Sequence, residues 1–428
     1  MTPKQEFLYG EHEFSVPRLK RIWKESQRVY DNRANTPQTE LERRNEQLKR
    51  YLKKHDIDAA LILQPIDLFY FAGTLQKANL YIPADGDPIL MVHKSTERAR
   101  AESAIAQILY LSSPKKIPDI LKTNGYPLPR RLGLELDVLP TNIYFNYRRL
   151  FQDAAIVDIS RSIRLIRAVK SAYEISIMRR AAKLSDQVAE HVPSILHEGM
   201  TELELAGKVE AEARRLGHQG VVRMRLWGGE MFYGHLMSGP TGAVPSYLAS
   251  PTGGVGANPA MAQGPGLNIV RRHEPVLVDY VFAYNGYLSD HTRIFSLGSL
   301  PEDLVEAHAA MLEVQTMVKK MATPGIPSGA IYDQALAKAS ELGYADHFMG
   351  AAGRERIRFV GHGIGLEVDE YPFLAAGQDL PLQAGMTIAL EPKVIFPGKG
   401  VVGIENTHVV KKDGLGQLGE FPDDIVII

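Results

Sequence analysis

The chain has 428 residues, 45% apolar and 23% charged, with a formal net charge of -1 and no cysteine. That balance is ordinary for a globular protein and argues against a nucleic-acid or membrane-surface binder, which carries a basic excess, so a small or peptidic ligand is expected. Without cysteine there are no disulfides, thiolate metal sites or cysteine nucleophiles, and any metal must be held by oxygen and imidazole nitrogen.

No run of about 18 apolar residues is available to span a bilayer. The opening MTPKQEFLYGEHEF has no basic segment leading into an apolar one, so a cytoplasmic location is the expectation. Residues 1 to 40 are polar, with one helix predicted around Pro17 to Tyr30. A second helix is predicted from Leu41 to His55, where Leu41, Leu48 and Leu52 form one stripe opposite many charges. Apolar runs at Ala59–Leu63, Leu80–Ile82, Ile89–Val92, Leu132–Leu136 and Ala155–Val157 read as strands, and Ser95–Ala106 as a helix. Together they predict an α/β domain over residues 1–160, with Arg161–Val169 as the connection to a second domain over 161–428.

The second domain begins with a long predicted helix, Ala172–Leu196, followed by a helix that Thr201 and Glu204 open as a capping box and Gly217 closes. The same plan returns as a helix over Glu302–Met321 and another from Ser328 to Gly343. Gly199 and Gly325 are 126 positions apart, as are Ala211 and Ala337, and Gly217 and Gly343. A constant offset through helix, turn and terminator implies an internal repeat, with a cleft between its halves. The Gly-, Pro- and Ser-rich stretch Trp227–Gly266 lies between the halves and reads as loops bordering that cleft, with Trp227, Tyr233 and His235 as candidate substrate contacts.

The chemistry centres on VLVDYVFAYNGYLSDHTRIF, Val276 to Phe295. Asn285-Gly286 predicts a two-residue hairpin turn, because both residues tolerate positive φ. Tyr284 then pairs with Tyr287, Asp290 falls opposite Val281, and Asp279 falls opposite Thr292. Both carboxylates project to one side, roughly 7 Å apart at Cα. Further on, GHGIGLE carries His362 between glycines, IALEPKVIF carries Glu391, and VVGIENTHVV carries Glu405. If FPGKG makes a five-residue loop, Ile395 pairs with Val401 and Glu391 faces Glu405. Two facing like charges are destabilising unless a cation lies between them. Four carboxylates and one imidazole would balance two divalent ions, with Mn, Fe or Co suiting the donor set and Zn less so. Two such ions polarise a carbonyl and activate water, which implies hydrolysis.

The order Asp, Asp, His, Glu, Glu, with 11 positions between the aspartates and 14 between the glutamates, resembles the pita-bread metallopeptidases: Xaa-Pro aminopeptidase, prolidase and methionine aminopeptidase. DYVFAYNGYLSDHTRIF, GHGIGLEV, LEPKV and GIENT carry the resemblance from about Arg164 onward, and IDAALILQPIDLFYFAGT resembles the creatinase/prolidase N-terminal domain. It implies an α/β (α+β) chain: an N-terminal α/β domain, then a pita-bread domain with an internal pseudo-twofold repeat. It also implies a homodimeric Xaa-Pro-type aminopeptidase or dipeptidase acting on small peptides through a metal-bridging hydroxide. In that family's pattern Asp279 completes one metal's shell, Asp290 and Glu405 bridge the ions, His362 and Glu391 serve the other ion, and Glu391 moves the proton.

Three positions depart from the pattern. Asp369 stands where proline-specific members carry a histidine, Met261, Ala262 and Gln263 stand near a second expected histidine, and Gly403 replaces an arginine. Asp369 is accordingly a candidate catalytic or substrate-binding group, an acceptor from a substrate ammonium or a base. Two other readings stay open. One is the same site acting on a small nonpeptide metabolite, by creatinase-like hydrolysis or lyase chemistry, and the other is a noncatalytic binding module.

Overall fold

The computed structural model describes residues 35–225, 232–350 and 356–428. The predicted helix around Pro17 to Tyr30, and Trp227, lie outside them. The chain divides into two compact units, Met1–Ile159 and Ser160–Ile428.

The first unit is a six-stranded mixed sheet in the order β4-β3-β2-β1-β5-β6. Its strands are β1 (Ala59–Ile62), β2 (Ala78–Pro83), β3 (Ile89–Val92), β4 (Gln107–Tyr110), β5 (Arg131–Leu134) and β6 (Ala155–Asp158). The helix Gln38–Lys54 buries Leu41, Leu48 and Leu52, the stripe its periodicity predicts. The helix expected over Ser95–Ala106 is shorter, Thr96–Glu102 with Ser95 as its cap, and the chain beyond it leads into β4. Three short helices, Pro65–Ala72, Ile117–Thr123 and Thr141–Leu150, escape the sequence reading because none is long enough to display a repeating stripe.

In the second unit the expected connection 161–169 is instead a helix, Ser160–Ala168. Its buried Arg167 pairs with Glu367 at 2.8 Å and Glu370 at 2.5 Å, so its charges hide an inward face. The helix Ala172–Ile195 has a capping box at Ser171 and Glu174, and Glu202–Arg215 has the box predicted at Thr201 and Glu204. The later pair is Glu302–Met321 and Ser328–Glu341, and the 14-residue helices of the two pairs are offset by the 126 positions read from the sequence. The first pair packs with Leu236, Val278 and Phe295 in one core. The second packs with Ile388, Leu390 and Val394 in another.

The strands are β7 (Gly234–Ser238), β8 (Val276–Tyr280), β9 (Phe282–Tyr284), β10 (Tyr287–Ser289), β11 (His291–Ser296), β12 (Phe359–Ile364), β13 (Val368–Ala375), β14 (Thr387–Leu390), β15 (Lys393–Phe396), β16 (Gly400–Gly403), β17 (Glu405–Lys411), β18 (Gly414–Gln417) and β19 (Val426–Ile427). They build a nine-stranded sheet with the path β13-β12-β14-β17-β11-β8-β7, completed by β18 beside β17 and β19 beside β11, and two separate ribbons, β9-β10 and β15-β16. Asn285 and Gly286 take φ of 46° and 88°, and the turn pairs Tyr284 with Tyr287. Thr292 pairs with Asp279, as the hairpin count requires.

Candidate metal centre

Asp279 and Glu405 are paired within β8 and β17, both against Thr292, whereas the other two acids stand where regular strand pairing pauses. Asp290 lies between β10 and β11, and Glu391 follows the last residue of β14. Leu390 pairs with Asn406 on one side of Glu391, and Lys393 pairs with Gly403 on the other. That register sets Glu391 opposite Glu405, and Ile395 pairs with Val401 as the loop count predicts. His362 comes from β12, whose neighbouring glycines admit close backbone: a Cβ at Gly361 would meet the Ala389 carbonyl at 2.5 Å, and one at Gly363 the Tyr371 carbonyl at 2.2 Å.

Asp279, Asp290, His362, Glu391 and Glu405 are all buried and line one cavity of about 690 Å³, part of it open to solvent. Donor atoms of Asp290, His362 and Glu405 all lie within 4.8 Å of one another. His362 donates from Nδ1 to the Gly363 carbonyl at 3.0 Å, which fixes its tautomer and leaves Nε2 as the ligand atom. Nε2 stands 3.9 Å from Asp290 Oδ2, 4.0 Å from Glu405 Oε1 and 3.8 Å from Glu391 Oε1. Donors bonded to one cation at about 2.0–2.2 Å lie roughly 3–3.6 Å apart, so shifts of a few tenths of an ångström close these side chains on an ion. The residues therefore fit a divalent ion on this side. The other Asp290 oxygen accepts from the His291 N–H at 3.0 Å.

On the opposite side the residues meet a cation of the chain itself. Lys393 is fully buried and donates to Asp279 Oδ2 at 3.2 Å, Glu391 Oε2 at 2.9 Å and Glu405 Oε2 at 2.7 Å. The facing glutamates are thus already neutralised in part, by a side chain rather than by the metal the sequence reading supplies.

The electrostatics are correspondingly uneven. Burial raises Asp279, but Lys393 and His235 outweigh it and hold the carboxyl below its usual range. Burial and the neighbouring Glu405 and Asp279 charges push Asp290 well up. Burial lifts Glu405 to about 8, Lys393 opposing and Glu391 adding. Burial alone would depress His362, yet Asp369, Glu391 and Asp290 carry it above the ordinary imidazole value.

The remaining candidates separate. His235 pairs with Asp279 across β7 and β8, stands 3.8 Å from its carboxylate and lines the cavity. Tyr233, expected to meet substrate, does not line the cavity; it lies just ahead of β7 and packs against His218 and Tyr280 at the core of the first helix pair. Asp369, at φ 63°, lines the cavity with its carboxylate 3.6 Å from His362 Nδ1. The next residue, Glu370, is buried against Lys170 and Arg167, and these outweigh its burial to hold it at about 2. Gln263, one of the three residues that stand near the second expected histidine, donates its amide to His235 Nε2 at 3.0 Å.

The creatinase/prolidase N-terminal domain profile matches residues 44–169, and that of metallopeptidase family M24 matches residues 176–412, more than half the chain. The chain belongs to metallopeptidase family M24. This M24 chain is 28% identical over 382 residues to the Xaa-Pro dipeptidase of Pyrococcus furiosus, covering 88% of this chain and 98% of that one. Among solved structures it is similar to the Xaa-Pro dipeptidase from Bacillus anthracis, with a TM-score of 0.77, 23% identity and coverage of 91% and 100% of the two chains. The prolidase from Pyrococcus horikoshii gives a TM-score of 0.73 at 25% identity, covering 89% and 99%. The pita-bread fold and the two-domain order expected from the motifs are those of these relatives. M24 members are peptidase hydrolases that use divalent metals, and the buried Asp, His and Glu cluster is where this member would hold one.

Proposed function

We propose that this M24 member is an aminopeptidase or dipeptidase of Xaa-Pro type that hydrolyses small peptides. The observation that carries the reading is the convergence of Asp290, His362 and Glu405 on one buried position, with Asp279 and Glu391 on the same cavity. Mn, Co or Fe suits this oxygen-rich set better than Zn. Bound there, a divalent ion supplies Lewis acidity and charge stabilisation at the scissile carbonyl.

The chain's own groups do the rest. Glu391 has Oε2 held by Lys393 and Oε1 facing the His362 side, which orients it to take a proton from water and return it to the leaving amine. Asp369 accepts from a substrate ammonium, in a cavity where Phe232, Val281 and Phe359 limit water. His235, its ring positioned by Gln263, is the substrate contact on the opposite wall. With Asp369, Gln263 and Gly403 where proline-specific members differ, proline selectivity is the open variable. A cytoplasmic homodimer completes the proposal, on the family resemblance.

The test is a panel of Xaa-Pro and Xaa-Ala dipeptides with Mn- or Co-loaded protein. Free amino acid is expected, and none across the panel would overturn the peptidase reading in favour of a nonpeptide metabolite. Glu391→Gln should retain metal but lose about 100-fold or more in turnover, whereas Asp290→Ala should lose metal. A Glu391→Gln variant as active as the parent removes Glu391 as the base.

A further inference from the structure

We propose that the Lys393 ammonium takes one of the two cation positions of the family's centre, so that this site binds a single divalent ion, between Asp290, His362 and Glu405. The proposal rests on a metal-bearing M24 site in this chain.

The carboxylate oxygens divide into two sets. Asp279 Oδ2, Glu391 Oε2 and Glu405 Oε2 surround Lys393 Nζ at 2.7 to 3.2 Å. An ammonium has three N–H donors, and here each has its own carboxylate. A divalent ion bonding to those same oxygens would have to occupy the volume of the ammonium. The second set, Asp290 Oδ2, Glu405 Oε1 and Glu391 Oε1, faces His362 Nε2 at 3.8 to 4.0 Å and is not engaged by Lys393. Glu405 joins the two positions through its two oxygens, one bonded to Lys393 and one facing His362, whereas Asp290 faces His362 with Oδ2 and accepts from the His291 N–H with Oδ1.

The backbone makes room for this lysine. Lys393 and Gly403 are directly paired, so their side-chain positions share one face of the β15-β16 ribbon. Gly403 has φ 145°, and a Cβ there would meet Lys393 Cα at 2.6 Å and the Pro392 carbonyl at 2.4 Å. The arginine that the family pattern places at 403 is therefore excluded here, and the positive charge comes from the facing strand. Met349 anchors the lysine from the other side, its N–H donating to the Lys393 carbonyl at 2.9 Å. Formal charge agrees: four carboxylates against one ammonium and one divalent ion leave a single negative charge, complementary to the ammonium of a peptide N-terminus.

The test counts metal rather than turnover. Full-length protein stripped by chelation, reloaded with excess Mn²⁺ and desalted, should hold one manganese per chain by elemental analysis and show the paramagnetic resonance of an isolated ion. Lys393→Ala should hold two, with an exchange-coupled signal, and Lys393→Arg should remain at one. A parent that holds two ions, or none, overturns the proposal, as does a folded Lys393→Ala that still holds one. If Lys393→Ala does not fold, the parent's count and spectrum decide. Failure of the dipeptide panel would overturn the peptidase reading and leave this count unaffected.

Discussion

Glu202 should determine how firmly the cavity-bordering loops are held. It is the first residue of the helix Glu202–Arg215 and fully buried, where a carboxylate is favoured by the helix dipole. Its Oε1 accepts from the Ser238 N–H at 2.8 Å, the Asn268 amide at 3.1 Å and the Thr241 hydroxyl, and its Oε2 accepts from the Gly266 N–H at 2.9 Å. One side chain thus ties both ends of the stretch that brings Leu248, Ala249, Ser250 and Gln263 to the cavity. Glu202→Gln is nearly isosteric, but its NH₂ must replace one acceptor. The smaller loss keeps oxygen toward Ser238 and turns the NH₂ against the Gly266 N–H. A hydrogen bond to a charged group contributes about 1.5–3 kcal/mol, and the bonds that remain are weakened when the charge is removed, so about 3 kcal/mol is expected in total. The second unit spans Ser160–Ile428. At about 2.1 cal/mol/K per residue, that loss lowers Tm by about 5 °C. Calorimetry measures the shift, and limited proteolysis should show faster cleavage between residues 239 and 268. A Glu202→Gln protein melting within about 1 °C of the parent, with unchanged cleavage, would refute the reasoning.

Two further outcomes are expected. Burial pushes His218 down to about 4 and His408 down to about 3. An unfolded histidine titrates near 6.5, so their stabilising contribution is complete above that pH and is lost as pH falls toward 4 and 3. Between pH 7.5 and 5 the pair should cost about 4 kcal/mol, and His408→Leu should flatten that decline in Tm by about half; an unchanged slope would contradict the assignment. Gly234→Ala places a Cβ 1.9 Å from the Asp279 carbonyl, so β7 must move away from the strand that carries Asp279. The kcat/KM for the best dipeptide should fall by about tenfold or more with a lower Tm, consistent with overpacking costs of about 1–3 kcal/mol, and parental activity would show that β7 does not support the site.

Sequence alone determined what depends on near neighbours and on strand alternation. The Asn285-Gly286 turn follows from two residues' φ preferences, and the hairpin register then aligns Thr292 with Asp279. The loop within FPGKG closes at Phe396 and Gly400, with three residues between them rather than the expected five, and because that number is also odd it sets Glu391 against Glu405 as read. Helix caps at Thr201 and Gly217 are equally local. The signal for Lys393 was also present, since a residue two beyond Glu391 shares its face of the strand, but charge counting alone attributed the neutralising cation to a metal.

Only the tertiary structure decided which oxygen faces which cation. The acceptors around Lys393 and the ligands around His362 come from β8, β12 and β17 and from the residues between neighbouring strands, separated by up to 126 positions from Asp279 to Glu405. Side-chain direction at such distances depends on how strands cross and on what is buried behind them. The same applies to Tyr233, which lies just ahead of β7 and packs into the core, to Asp369, which a left-handed φ turned toward His362, and to Glu202, whose partners lie 36 to 66 residues away. Turn and strand periods fix local order over a few residues, whereas the partner of a buried charge is set by the packed interior around it.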